Sequence, residues 1–317
     1  SSMARISISL LLFAATLSVA QISFVHKASA VALKWSVGGP EGKRLVGVSS
    51  SSDGLIAYAT ENPTNALKKI WKTIDGGLTW TELENAPSAY WSAIATNGDG
   101  QIVVALAQTG NDYLVYRSED AGMSWSSEYT TTSQLFDIAI SADGNTTLVG
   151  SLDGILKSID GGSTYNALVN PLANTQFSGY NDWRSIDMSA DGLKIVAVSP
   201  ARLIQKSTDG GSSWSELSNS GTGYWMDVAI SSNGENIMGV TLNDADGVRS
   251  SRDSGETFTS ANIGSTFATN QATFAAMSAD GMFMIATSYN SVPQMSTDSG
   301  MTWSSATLST LNCHITR

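Results

Sequence analysis

The 317-residue chain has a formal net charge of −11, and charged residues make up 14% of it, below the roughly 25% of an average soluble protein. Its only adjacent lysines are Lys68 and Lys69, and binding to phosphates normally needs clustered cations, so the composition argues against nucleic acid as a partner. A single cysteine, Cys313, excludes an intrachain disulfide. With only two histidines in addition, no zinc cluster is possible, and neither a metal nor a cofactor is expected.

The first thirty residues differ from the rest of the chain. Arg5 precedes an apolar run over residues 6–20, and the small residues at 28–32 form two A-x-A sequences. This order of features predicts a signal peptide over residues 1–30 and a secreted or extracytoplasmic protein. The alternative is a retained membrane anchor, because residues 6–25 match the ~20 residues that cross a bilayer. A membrane is expected as a partner only in that case.

An eight-residue box, S/T-x-D-x-G-x-S/T-aromatic, occurs six times between residues 73 and 303. Its aspartates are Asp75, Asp120, Asp160, Asp209, Asp253 and Asp298. A second turn, usually S-x-D-G, precedes each box by 17 to 22 residues. A repeat of about 45 residues with four short strands has the length of a propeller blade. Residues 33–317 are therefore predicted to form an all-β propeller of six four-stranded blades.

The third repeat shows where the strands are expected. Strands are predicted at 136–140, 147–150 and 154–157, and a fourth starts at Tyr165. Asp-Gly and Asn-Gly steps between the strands suit tight turns, which need positive φ.

The box aspartates are interpreted as structural. An Asp side chain at a turn accepts hydrogen bonds from nearby backbone N–H groups, and the glycine adopts a conformation closed to other residues. A turn that recurs in every blade is not by itself a unique site, so the box aspartates are not catalytic candidates. The aromatic residue that ends each box is expected to pack between sheets.

The boxes resemble those of the Asp-box, or BNR, repeat proteins over residues 35–317. That group includes sialidases, xyloglucan-cleaving glycosidases, sortilin-type receptor domains and the photosystem II assembly factor. The resemblance implies a propeller but does not choose a function. A sialidase would need an arginine triad and an F-R-I-P-like segment, for which Lys43-Arg44-Leu45-Val46 is a poor match.

The number of blades has an alternative. Residues 33–37 look like the last strand of a blade whose other strands do not precede them, and residues 311–317 lie where a new first strand would begin. The alternative is thus a seven-bladed ring that is incomplete at the C-terminus.

The resemblance directs the search for a site to the face opposite the boxes, where loops enter the first strand of each blade. Trp91, Trp183 and Trp225 hold equivalent positions there, and Arg184 follows the second of them. These four are the ligand-binding candidates, with the tryptophans as stacking platforms; the alternative is that the tryptophans only pack. Asp137 and Asp227 share a second column and are candidates for an acid–base pair.

The sequence favours a non-catalytic binding or scaffold propeller that recognises a protein or a glycan through this face. Two alternatives stay open. One is a glycoside hydrolase, sialidase-like or xyloglucanase-like, that acts at the channel mouth. The other is an assembly factor in the thylakoid lumen, although that family has an arginine patch that this acidic chain lacks.

Overall fold

The computed structural model describes residues 7–10, 20–23, 35–37, 40, 43, 45–61, 67, 69–167, 182–242, 247–261, 272–288 and 292–305. Within these residues, six antiparallel four-stranded sheets follow one another along the chain as the blades of a propeller, which confirms the predicted fold class. The described part of the chain contains no α-helix, and its only helical turn is a 3₁₀ turn at Ser218–Ser220.

Strands are numbered in chain order. The first three blades comprise β4 (Leu45–Ser50), β5 (Ala57–Glu61), β6 (Ile70–Thr73) and β7 (Thr81–Glu82); β8 (Tyr90–Thr96), β9 (Val103–Thr109), β10 (Asp112–Ser118) and β11 (Ser126–Thr131); and β12 (Leu135–Ile140), β13 (Thr147–Ser151), β14 (Ile155–Ser158) and β15 (Asn166–Ala167). The last three blades comprise β16 (Ser185–Met188), β17 (Ile195–Val198), β19 (Gln205–Ser207) and β20 (Ser215–Glu216); β21 (Gly223–Ile230), β22 (Ile237–Leu242), β23 (Val248–Ser251) and β24 (Thr259–Ser260); and β25 (Ala272–Met277), β26 (Met284–Ser288), β27 (Gln294–Ser296) and β28 (Ser304–Ser305). One further strand, β18 (Pro200–Arg202), leaves the fourth blade and pairs with β21 of the fifth.

The turn between the first and second strands is fixed by its serine and aspartate. In the third blade, Ser141 Oγ donates to Asp143 Oδ1 (2.6 Å), and the same oxygen accepts the N–H of Asn145 (2.9 Å). Gly144 between them has φ +78°, a left-handed conformation that costs glycine little. These S-x-D-G turns and the boxes share one face of the ring, because in each blade a backbone hydrogen bond joins the two, as from Gly161 N to Asn145 O (2.8 Å).

The box, between the third and fourth strands, is built around its first hydroxyl. In the second blade, Ser118 is 2% exposed; its Oγ donates to Asp120 Oδ1 (2.8 Å) and accepts the N–H of Gly122 (2.8 Å). Asp120 in turn accepts the N–H and the hydroxyl of Ser124 (2.8 and 2.6 Å). The other five boxes repeat this arrangement, and in each of them the aspartate accepts an N–H of its own turn.

Neighbouring blades pack face to face through buried apolar side chains. Between the first and second blades, Tyr58 and Ile70 meet Trp91 and Val103. Four similar clusters join the second blade to the third and so on to the sixth. The core of the protein is therefore a set of interblade layers rather than one central mass.

A three-stranded antiparallel sheet precedes the blades: β1 (Ser7–Leu10), β2 (Ala20–Ser23) and β3 (Trp35–Val37). Two of these strands lie within the predicted signal peptide, and the third lies where the sequence suggested the last strand of a blade. The expected cleavage site after Ala30 and the C-terminal residues 311–317 lie outside the described residues. Across the part of the chain that the structure describes, no helix is long and apolar enough to span a membrane.

Candidate functional site

The first strands of all six blades surround a central channel. Its volume is about 540 Å³, and every blade contributes lining residues from its first strand. The channel is lined at one end by turn residues such as Ser52 and Ser278, and at the other by residues where the first strands begin, such as Phe136 and Arg184. We call the second end the mouth, and it lies on the face that the sequence selected as functional.

A β-bulge shapes the start of the first strand in five of the six blades. The strand register shifts there around one residue. The bulged residues are Val46, Ser92, Phe136, Met226 and Thr273. Arg184 holds the same position in the fourth blade, since each of the six lies seven residues before the Asp or Asn of its S-x-D-G turn. Bulges redirect side chains at the rims of sheets, and Val46, Ser92, Phe136, Arg184 and Met226 line the channel.

The three tryptophans do not line the channel. Trp91 is 2% exposed, and Trp183 and Trp225 are fully buried. Trp91 packs edge-on against Tyr116 with 5.5 Å between ring centroids, and Trp225 Nε1 donates to Arg202 O (2.8 Å). The expectation of stacking platforms is therefore wrong, because their faces are covered by the adjoining blade. Their common position is a packing position, the alternative that the sequence had left open.

Asp137 and Asp227 do face the channel, and a third carboxylate that the sequence analysis did not select, Asp187, lies with them. Alternation along β16 places residues 185 and 187 on one side of the strand, which is the signal that could have identified it. Each carboxylate bridges two blades through backbone N–H groups at the inner edge of the next first strand. The bonds run from Ile186 N to Asp137 (3.0 Å), from Ile230 N to Asp187 (2.8 Å) and from Ala275 N to Asp227 (2.8 Å).

The remaining oxygen of each carboxylate also has a partner. Asp137 and Asp187 each accept the N–H of the residue that follows (both 2.8 Å). Asp227 Oδ1 accepts the N–H of Val228 (2.9 Å) and the hydroxyl of Ser185 (2.6 Å). Both oxygens of all three groups are thus engaged in holding the inner strands together.

The protein interior nonetheless raises the pKa of these carboxyls. Desolvation in the channel wall is the main cause, and it raises the pKa of Asp187 and of Asp227 to about 7; the negative charge of Asp137 adds to the effect on both. Desolvation raises the pKa of Asp137 as well. The hydrogen bonds act in the opposite direction but do not compensate. Perturbed carboxyls in a cavity are features of functional sites, although structural networks produce them too.

Arg184 and Phe136 form a pair at the mouth. The guanidinium of Arg184 lies 4.9 Å from the centroid of the Phe136 ring, and its Nε is 2.9 Å from Asp182 Oδ2. The Arg184 side chain is 35% exposed. Of the four predicted ligand-binding residues, this is the one that the structure leaves accessible.

The two sides of the channel differ in the type of side chain that lines them. The carboxylates come from the third, fourth and fifth blades, whereas the opposite wall consists of small, apolar and serine side chains such as Ser49, Ala93 and Ala276. Among the described residues, no three His, Cys, Asp or Glu side chains are grouped so as to hold a metal ion. What the arrangement offers a ligand is an acidic wall behind an Arg–Phe pair.

No protein-family profile and no curated protein matches the sequence. Solved structures do resemble the fold. YCF48 bound to a D1 peptide is 15% identical with a TM-score of 0.60, over 86% of this chain and 83% of that one. YCF48 from Cyanidioschyzon merolae is 17% identical with a TM-score of 0.59, over 84% and 86% of the two chains.

A structure of an ancestral GH74 enzyme is 15% identical with a TM-score of 0.68; the match takes in 96% of this chain but only 45% of that one. At these identities the likeness shows the fold alone. The chain is a β-propeller, of an architecture that YCF48 and a GH74 enzyme share.

Proposed function

We propose that this propeller is a non-catalytic binding module of the Asp-box group, and that it recognises a protein partner through the mouth of its channel. The observation that carries the proposal is the state of the three channel carboxylates. Each uses both oxygens to accept backbone N–H groups, so their first role is to hold adjacent blades in place. A general acid or base must instead reach the substrate atom to or from which it transfers a proton.

The accessible groups of the mouth suit a peptide. The Phe136 ring and the Arg184 guanidinium lie at the start of two inner strands that the bond from Ile186 N to Asp137 joins. Tyr90 and Tyr224, 38% and 43% exposed, lie just before two of the buried tryptophans. Aromatic and arginine side chains on a rigid frame are typical anchors of protein interfaces. The net charge of −11 and the acidic channel wall favour a partner segment with basic side chains.

Two neighbours by fold support a protein ligand rather than a glycan. YCF48 was solved with a D1 peptide. A nidogen/laminin complex also matches, with 13% identity, a TM-score of 0.56 and coverage of 79% of this chain and 92% of that one. An extracytoplasmic location, secreted or lumenal, remains part of the proposal and is supported by the sequence of residues 1–30.

The proposal is tested with a random peptide library displayed on phage, selected against the folded chain. We expect enrichment of basic peptides whose binding is lost in Arg184→Ala and Phe136→Ala. Ile159→Ser is the matched control, because Ile159 is 74% exposed in a box on the opposite face. Selected peptides that bind both mouth variants as well as the parent, or that fail to bind Ile159→Ser, would show that the mouth is not the binding surface.

A glycoside hydrolase is the second candidate, and one observation favours it. Asp227 has a pKa of about 7 and is therefore largely protonated below neutral pH, as a general acid must be. Asp137, its possible partner, lies close enough to act on its pKa electrostatically. Reproducible cleavage of chromogenic glycosides that disappears in Asp137→Asn or Asp227→Asn would show that the protein is a glycoside hydrolase and not a binding module.

A further inference from the structure

The six blades are joined in series by a chain of backbone hydrogen bonds. The N–H of the second residue in each S-x-D-G turn donates to the carbonyl of its counterpart in the next blade. The bonds are Ser52 to Gly98 (2.8 Å), Gly98 to Ala142 (2.9 Å), Ala142 to Ala190 (2.9 Å), Ala190 to Ser232 (3.0 Å) and Ser232 to Ala279 (2.8 Å). Within the described residues, no bond of this kind leads from Ala279 of the sixth blade to Ser52 of the first. We call the place between β25 and β4 the seam.

A series of cations links the first blade to the fifth. In four successive blades, the side chain of the residue that precedes the box donates a hydrogen bond to a backbone carbonyl in the box of the next blade. The bonds are Lys72 Nζ to Ala121 O (2.9 Å), Arg117 Nε to Gly161 O (2.6 Å), Lys157 Nζ to Gly210 O (2.5 Å) and Lys206 Nζ to Ser254 O (2.5 Å). The fifth blade has Ser250 at this position, and the sixth has Met295, which cannot make the bond.

The channel acceptors and the apolar layers follow the same pattern. The sixth blade has Phe274 and Ala276 where the third, fourth and fifth blades have acceptors such as Asp137, Asp187 and Asp227, so it offers no acceptor to a first strand beside it. On the seam side of the first blade, Leu45 and Ala59 are buried in a small cluster to which none of the described residues of the sixth blade belongs. The backbone bonds between turns and the apolar layers thus link all six blades in series and omit the seam. The cations link the first blade to the fifth, and the carboxylates link the third to the sixth.

The strand that lies in the seam is β1. Adjacent first strands pack against each other from β4 through β8, β12, β16 and β21 to β25, and β1 contacts both β4 and β25. We propose that the seam is an intramolecular docking site whose occupant is the sheet β1–β3, which closes the ring as a seventh, three-stranded element. The sequence of β1 supports this role, since Ser7-Ile8-Ser9-Leu10 alternates polar and apolar residues with the period of a strand.

Docking of β1 and β2 in the seam is incompatible with their removal by a signal peptidase. Cleavage by a signal peptidase after Ala30 would take away β1 and β2 and leave the apolar seam side of the first blade uncovered. Retention of the two strands leaves that surface covered. The proposal does not depend on the proposed binding at the mouth, because the seam and the mouth are different places; it shares residues 1–30 only with the proposed location.

The test uses the full chain, produced without export, with a specific protease site inserted between Gly38 and Gly39. After folding, the chain is cut and passed over a size-exclusion column, and the fractions are analysed by mass spectrometry. We expect the N-terminal fragment to elute with the blades and to separate only in denaturant. A fragment that separates under native conditions would overturn the proposal.

Substitutions in β1 distinguish docking from unspecific adhesion. Ser9 pairs with Gln21 in the β1–β2 ladder, and proline at that position fits a paired strand poorly. Ser9→Pro is expected to release the fragment after cutting, whereas Ser9→Ala is expected to retain it. Equal retention of both variants would show that the fragment adheres without forming the sheet, and would also overturn the proposal.

Discussion

The protein contains two sets of aspartates that bind the same kind of group but whose pKa values are shifted in opposite directions. The box aspartates on the rim and the channel aspartates near the axis both accept backbone N–H groups. Hydrogen bonds to the box lower the pKa of Asp120 to about 2, whereas desolvation raises the pKa of Asp227 to about 7. The difference arises because the box carboxylates face water, and the channel carboxylates are enclosed by six strands and by each other.

The comparison separates residues that stabilise one blade from residues that connect two. A box carboxylate binds within its own turn and recurs six times. A channel carboxylate reaches into the next blade, and this occurs only in the third, fourth and fifth blades. The surfaces that differ between blades, rather than the repeated turns, are therefore where a specific partner can be recognised.

The largest expected effect is on the pH dependence of stability. A carboxyl whose pKa is raised in the folded state binds more protons when folded, so its contribution to stability is complete below about pH 4 and is lost as the pH rises towards 7. Asp187 and Asp227 act in this direction, and one pKa unit corresponds to about 1.4 kcal/mol. Urea unfolding is expected to show a lower free energy of unfolding near pH 8 than near pH 5, by several kcal/mol.

The box aspartates have the opposite effect on the pH dependence of stability, in a lower pH range. Their lowered pKa values stabilise the fold above about pH 4, and this contribution is lost as the pH falls towards 2. Because they are largely exposed, solvent screening keeps their share small. Stability that rises steadily from pH 5 to pH 8 would contradict the assignment of the channel groups.

Asp227→Ala is expected to be the most damaging single change among the carboxylates. Ala275 N and the Ser185 hydroxyl lose their acceptor, and Val228 N keeps only Ser185 Oγ at 3.2 Å; an unsatisfied buried donor costs roughly 1–3 kcal/mol. We expect a loss of at least about 2 kcal/mol in the free energy of unfolding, measured with urea. If Asp227→Ala lowered the free energy of unfolding no more than Asp120→Ala, the channel aspartates would not contribute more to stability than the box aspartates.

Within the box, the hydroxyl is expected to matter more than the carboxylate. Ser118→Ala leaves the buried N–H of Gly122 without an acceptor and should cost about 1–3 kcal/mol. Asp120→Ala removes bonds that lie mostly in contact with solvent and should cost less. Thermal melts of the two variants, measured side by side, give the order. A larger loss in Asp120→Ala would show that the carboxylate stabilises the box more than the hydroxyl does.

Asp227→Asn is expected to have the smallest effect of these changes, provided that it is measured near pH 5. The amide oxygen keeps one acceptor, and an uncharged group at this place resembles the protonated carboxyl that the raised pKa favours. The variant should reduce the fall in stability between about pH 5 and pH 8 while changing the free energy of unfolding little near pH 5. An unchanged pH profile would show that Asp227 does not titrate in this range.

Local features of the sequence predicted most of the fold correctly. In the third repeat the predicted strands agree with β12 to β15 within one or two residues, because the turns that bound them are set by neighbouring residues such as Asp143 and Gly144. The site was harder to predict. Asp137 and Asp227 were placed correctly at the channel, but Asp187 was missed and the three tryptophans were assigned to the wrong environment.

The sequence by itself determined the repeat and its turns, since both depend on hydrogen bonds and alternation within about 45 residues, but it left the number of blades at six or seven. Only the tertiary structure decided which side chains at the start of a first strand face the axis. A bulge turns Phe136 and Met226 towards the channel, while Trp91 and Trp225 beside the bulges pack against the preceding blade. The pKa of the channel carboxyls likewise depends on the approach of blades that are distant in sequence, because desolvation and charge act through space and not along the chain.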